Sequence, residues 1–108
     1  MKKLLIATIA LSFNVTAADY SVCKELSVMA GTIMDLRQSN SSMPKLMETV
    51  GDSEIAQSLV IDAYSVPLYS LKSNKEKKIK EFANDTYVAC VKQLRRLGLK
   101  KTLYLAKS

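Results

Sequence analysis

Residues 73–98 read SNKEKKIKEFANDTYVACVKQLRRLG, and this stretch decides the fold. Ser73 and Glu76 have the spacing of a capping box, in which each end of the motif satisfies an orphan N–H of the other. Ile79, Phe82, Ala83, Thr86, Tyr87, Cys90, Leu94 and Leu97 recur at steps of three and four, which keeps one helix face apolar. Gly98 is a natural residue just past a last turn, with Leu94 and Leu99 placed for the hydrophobic contact that accompanies such an end. The pattern predicts a helix of about 24 residues, roughly 36 Å long at 1.5 Å per residue. A helix of that length is the spine of a small domain.

Cys90 lies on the apolar face of this helix, and the one other cysteine is Cys23. Around Cys23 the spacing predicts a first helix from Asp19 or Tyr20 to Gln38. Its stripe is Cys23, Leu26, Ala30 and Ile33, with Met29 and Met34 on the flanks and Asp35 opposite, toward solvent. Gly31 inside it costs roughly 1 kcal/mol against alanine, which points to a close neighbour there. Both cysteines sit on inward stripes, so a Cys23–Cys90 disulfide pins the first helix beside the last. The bridge closes a loop of 68 residues, counting both ends. In the chain-entropy account that contributes roughly 4 kcal/mol, a large share of a typical stability of about 5–15 kcal/mol.

Two shorter helices fill the interval. The polar run Ser39-Asn40-Ser41-Ser42 ends the first helix, Ser42 caps the second, and Pro44 fits its first turn, where no N–H is needed. Gly51 stops it by adopting positive φ. The third helix starts at Asp52 or Ser53 and turns Ile55, Ala56, Leu59, Val60 and Ala63 inward. It ends near Ser65 or Val66, because Pro67 disfavours helix in the residue before it. Residues 66–71, VPLYSL, then form an extended connector too brief to be a strand. The fold class is all-α, a small bundle of about four helices with one disulfide joining the first and last.

The chain opens Met1-Lys2-Lys3, continues with an apolar run from Leu4 to Phe13, and reaches the small residues Thr16-Ala17-Ala18. This is the pattern of a cleaved secretory signal peptide. The run is shorter than the about 20 residues that span a bilayer core. The expected organisation is a signal peptide at 1–18 and a single helical domain at 19–108, with 99–108 a flexible basic tail. The expected location is the periplasm, an oxidising compartment that supplies the disulfide.

The net charge of +6 hides an asymmetry. Residues 19–71 carry three basic and seven acidic side chains, whereas residues 72–108 carry eleven basic and three acidic. Such a basic end suits a partner with an acidic surface, or anionic lipid, and otherwise serves as a solvated face. Nucleic acid is not expected as a partner of an exported chain. The reading leaves monomer and dimer both open.

Catalytic chemistry is thinly equipped. The chain has no histidine, which removes Ser–His and Cys–His nucleophiles and the usual proton shuttle at neutral pH. It has no CxxC, no glycine-rich phosphate loop, and no run of acidic calcium ligands. Asp62 at the edge of an apolar face is a lone carboxylate, and a glycosidase needs a pair. No catalytic residue, cofactor or metal is assigned.

Three binding features remain. Tyr64, Pro67 and Tyr69 gather aromatic anchors around a rigid connector, unless the tyrosines cap the core instead. Lys75, Lys77, Lys78 and Lys80, with Lys92, Arg95, Arg96, Lys100 and Lys101, form a basic strip. Met29, Met34, Met43 and Met47 are adaptable side chains that serve either a binding surface or the core. The residues assigned to a partner are Tyr64, Pro67, Tyr69, Lys92, Arg95, Arg96, Lys100 and Lys101.

Cys23, Met43-Pro44-Lys45-Leu46-Met47, the run from Val60 through Tyr64 to Pro67, and Glu81-Phe82-Ala83-Asn84 leading to Tyr87 and Cys90 carry a resemblance. In these the chain resembles small exported all-helical proteins of bacteria and phages. More loosely it is similar to periplasmic immunity proteins of the Rap1a/Tai type, disulfide-linked helical proteins that block peptidoglycan-cutting effectors. The resemblance implies an envelope location and a helical fold and supplies no activity. The expected role is a non-catalytic binding protein, an inhibitor, immunity or exclusion factor acting on another envelope protein. The alternative is a periplasmic stress chaperone or a membrane-surface protein.

Overall fold

The computed structural model describes the backbone of residues 2–107 and the side chains of residues 20–98. Four helices follow one another: α1 (Lys2–Gln38), α2 (Met43–Val50), α3 (Glu54–Tyr64) and α4 (Lys72–Lys107), with no strand among the described residues. The expected signal peptide at 1–18 and the expected tail at 99–108 fall outside the residues whose side chains are described. At the backbone level α1 begins upstream of Asp19, so the expected helix start there is not a helix boundary.

α1 and α4 form a long antiparallel pair. Cys23 bonds Cys90, the Ser27 hydroxyl donates to the Ala83 carbonyl at 2.9 Å, and the Lys75 ammonium donates to the Gln38 carbonyl at 2.6 Å. Small residues permit the close crossing: a Cβ placed on Gly31 would stand 3.5 Å from the Ala83 Cβ, ordinary van der Waals contact. α3 packs on α1 and α2 packs on α3. Together they cover the end of the pair that holds the C-terminus of α1.

The helix ends follow local chemistry. α1 closes with a Schellman arrangement. Ser41 N–H donates to the Leu36 carbonyl at 3.0 Å and Asn40 N–H to that of Arg37 at 2.9 Å, and Asn40 sits at φ +65°. The Ser42 and Ser53 hydroxyls accept from the Lys45 and Ala56 N–H groups and cap α2 and α3, and Gly51 closes α2 at φ +65°.

The core joins Ala30, Ile33 and Met34 of α1, Leu46 of α2, and Leu59, Val60 and Ala63 of α3, with Ile79 and Phe82 of α4 packed against them half-buried. Met43, Met47, Val50, Tyr64 and Val66 complete its edge.

Four expectations are corrected. Ser73 is the second residue of α4, not its cap. The Leu71 carbonyl accepts the Lys75 N–H at 3.0 Å in the cap position, and no capping box forms. With the Leu71 carbonyl taking the first bond, Ser73 is already helical and lacks the non-helical conformation from which a cap side chain reaches back to the first turn. Gly98 does not end α4, which runs on without a break. Its backbone stays at negative φ, and helix costs glycine only about 1 kcal/mol against alanine. Ile55 is 57% exposed, because α3 is covered only on the face of Ala56, Leu59, Val60 and Ala63. Tyr87 and Leu97 are exposed as well, since α2 and α3 do not extend along that part of α4.

Candidate partner-binding surface

The connector between α3 and α4 is held by two side chains from the last turn of α1. The Arg37 guanidinium donates through Nε and Nη2 to the Val66 carbonyl at 3.2 and 3.1 Å and lies 4.8 Å from the Tyr64 ring centre. Gln38 is only 3% exposed. Its Nε2 donates to the Pro67 carbonyl at 2.9 Å, and its Oε1 accepts the Tyr69 N–H at 3.0 Å. A buried polar group without partners costs roughly 1–3 kcal/mol, so this exchange settles both the amide and the connector backbone. Pro67 has no N–H of its own to place.

The sequence-assigned residues divide. Tyr64 is half-buried, packs on the core, stacks against Arg37, and donates its hydroxyl to the Ser41 carbonyl, tying α3 to the loop after α1. Pro67 is exposed at the connector's crest, and Tyr69 is half-buried beside it. Lys92, Arg95 and Arg96 are exposed on α4, and none forms an ion pair with a described residue. Lys92 follows Cys90 by two residues, about 200° round the helix, so these cations face away from α1. Lys100 and Lys101 lie outside the described side chains. The structure does not bring the two groups together: Arg95 is 23 residues beyond Lys72, about 35 Å along α4.

A shallow open depression of about 240 Å³ lies beside the connector, lined by Tyr69, Asn74, Lys77, Lys78 and Glu81. Its charges largely satisfy one another. Lys78 Nζ is 3.1 Å from Glu81 Oε2, and Lys77 Nζ is 4.0 Å from Oε1, at the limit of a contact. The hydrogen bond and charge of Glu81 hold the Lys78 ammonium above its ordinary 10.5, outweighing the opposing effect of burial.

Of the methionines among the described residues, Met34 is fully buried and Met43 and Met47 pack on the core, so those three serve packing, whereas Met29 is exposed. Asp62 is exposed on α3. Among the described residues no three cysteine or carboxylate groups gather as a metal site, and no helix is long and apolar enough to cross a membrane.

Sequence reasoning passed over Arg37 and Gln38. A signal was present: Gln38 lies four residues after Met34, on the inward stripe, where a polar side chain must find buried partners. Compared with family models, curated proteins and solved structures, the chain matches none. The functional reading therefore rests on its own residues.

Proposed function

We propose that the chain is an exported, non-catalytic binding protein of the bacterial envelope, residing in the periplasm after loss of residues 1–18. In this reading it acts as an inhibitor, immunity or exclusion factor on another envelope protein with an acidic surface. The observation that carries it is the outward basic face of α4. Lys92, Arg95 and Arg96 are exposed and unpaired with any described residue, on a helix fixed by the Cys23–Cys90 bridge. Cations presented on a rigid support raise association rates with an acidic surface and fix orientation. The lack of histidine and the disulfide, which suits an oxidising compartment, support the same reading.

The test is to retain envelope proteins on the oxidised protein recovered from an expressing bacterium, then to measure binding of the dominant one. Charge reversal at Arg95 and Arg96 is expected to slow association at least tenfold at low salt and to flatten the salt dependence. Unchanged rates remove the basic face from the interaction. A second reading is favoured by Val88, which is exposed and shares the face of Lys92 and Arg95 at steps of four and three. An apolar residue amid cations also suits an anionic lipid surface. Co-sedimentation with phosphatidylglycerol vesicles, in the absence of a single retained protein, would favour that reading.

A further inference from the structure

α2 and α3 cover one flank of the α1–α4 pair and leave the other open. Cys23 and Cys90 mark the line along which the two helices face each other. At about 100° per residue, Ile33 on α1 and Phe82 on α4 each lie about 80° round from their cysteine, and both meet the core. In the opposite sense, Tyr20 and Asp35 lie about 60° and 120° round α1, and Leu94, Tyr87, Lys80 and Val91 lie about 40–100° round α4. The helices are antiparallel, so these six residues share the flank that α3 does not cover. Tyr20 and Tyr87 are 39% and 37% exposed there, with Val91 and Leu94 half-buried beside them. Asp35 and Lys80 are exposed, and neither forms an ion pair with a described residue. Counted from the bridge toward the core, Asp35 is twelve residues along α1 and Lys80 ten along α4. The two therefore stand level to about 3 Å.

We infer that this flank is the interface of a homodimer, in which a second copy packs on it about a two-fold axis parallel to α1 and α4. Such an axis keeps every residue at its level and lays α1 of each copy on α4 of the other. The four helices then alternate in direction, as in an up-down-up-down bundle. Tyr20 of one copy meets Val91 and Leu94 of the other, and each tyrosine buries its ring while its hydroxyl stays at the wet rim. Asp35 of each copy comes opposite Lys80 of the other, and the match occurs twice because a two-fold contact uses the same patch on both sides. This charge match selects a second copy as the occupant: the flank carries both of its halves at one level. An anionic lipid surface would instead meet Asp35 unpaired. Lys92 and Arg96 turn to the other side of α4, so the dimer leaves them free, and the inference stands apart from the proposed envelope partner.

The test is sedimentation equilibrium of the oxidised protein recovered from an expressing bacterium, expected to give twice the chain mass at micromolar concentration. Tyr87→Glu, at an exposed position, is expected to raise the dimer dissociation constant at least tenfold while the helical circular dichroism is kept. Asp35→Lys and Lys80→Asp, each alone, place like charges opposite one another twice and are expected to weaken the dimer about tenfold. An equal mixture of those two variants is expected to associate within about threefold of the parent, because in the mixed dimer every acid again meets a base. Pairing within one chain does not produce that recovery. A parent chain that stays monomeric at about 100 µM overturns the inference. So does a Tyr87→Glu variant that dimerises as the parent does, or a mixture that associates no better than its components.

Discussion

The side-chain carbonyl of Gln38 accepts the backbone N–H of Tyr69 at 3.0 Å, across 31 residues of chain. The same amide donates to the Pro67 carbonyl, so one buried side chain fixes the connector at two points. Gln38→Leu keeps the approximate volume and strands both backbone groups. At roughly 1–3 kcal/mol for each of the two groups left unsatisfied, the expected loss is about 2–6 kcal/mol. Urea unfolding measures it. Hydrogen exchange at Tyr69 should quicken in the same variant; a protected Tyr69 amide would show that the clamp is dispensable.

How much of this was legible beforehand follows from where each signal lies. The interval from Gln38 to Tyr64 was readable because each boundary has a short-range cause. Ser42, Pro44, Gly51 and Ser53 act within one turn of themselves, and all four sit where their chemistry placed them. The Cys23–Cys90 pairing was readable because both stripes have helical period and no third cysteine competes. The ends of α4 were not. Ser73 has the chemistry of a cap, but the chain is already helical one residue earlier, at Lys72, and a glycine such as Gly98 stops a helix only when something follows to favour the turn. The inward faces of α3 and α4 were drawn too wide because periodicity shows which residues are apolar, not how far the neighbouring helix reaches. The connector clamp was least legible, since it joins side chains and backbone 29 and 31 residues apart.

Lys78 and Glu81 give the expected response to pH. The Lys78 ammonium titrates above its ordinary 10.5 in the folded chain, chiefly through its hydrogen bond to Glu81. A raised folded value means that the contribution is fully present below the unfolded value and is lost as pH rises through the folded one. The pair is partly exposed, so the contribution is small, about 0.2–1 kcal/mol. A double-mutant cycle with Lys78→Met and Glu81→Gln should return that coupling at pH 7. The coupling should vanish in strongly alkaline solution, and one that survived there would assign the effect to packing of the lysine stem.

Gly31 provides a test of sign. A Cβ at this position meets the Ala83 Cβ at 3.5 Å, which needs no movement. Alanine also suits a helix interior better than glycine by about 1 kcal/mol. Gly31→Ala is therefore expected to stabilise the protein by roughly 0.5–1 kcal/mol. Gly31→Leu, which must push α4 away, is expected to destabilise it by about 1–3 kcal/mol. Thermal melts of the two variants should move in opposite directions. A destabilising alanine would mean that the helices approach more closely than the Gly31–Ala83 spacing allows.

The disulfide acts where the core does not. Cys23 is fully buried, yet the apolar cluster begins at Ala30, seven residues and about 10 Å further along α1, and on α4 it includes nothing beyond Phe82. Beyond those points the described residues of α1 and α4 are joined by the Ser27 bond to Ala83 and by the bridge, with no part of the apolar cluster between them. Replacing both cysteines by alanine is expected to cost about 4 kcal/mol by loop entropy, which lowers Tm by about 15 °C or more for a domain of this size. The loss should also be uneven. Amides of residues 86–97 should exchange faster while those of Met34 and Val60 stay protected, because the core can hold its own end of the pair after the other has opened. Uniform loss of protection along α4 would instead show that the bridge and the core stabilise a single cooperative unit.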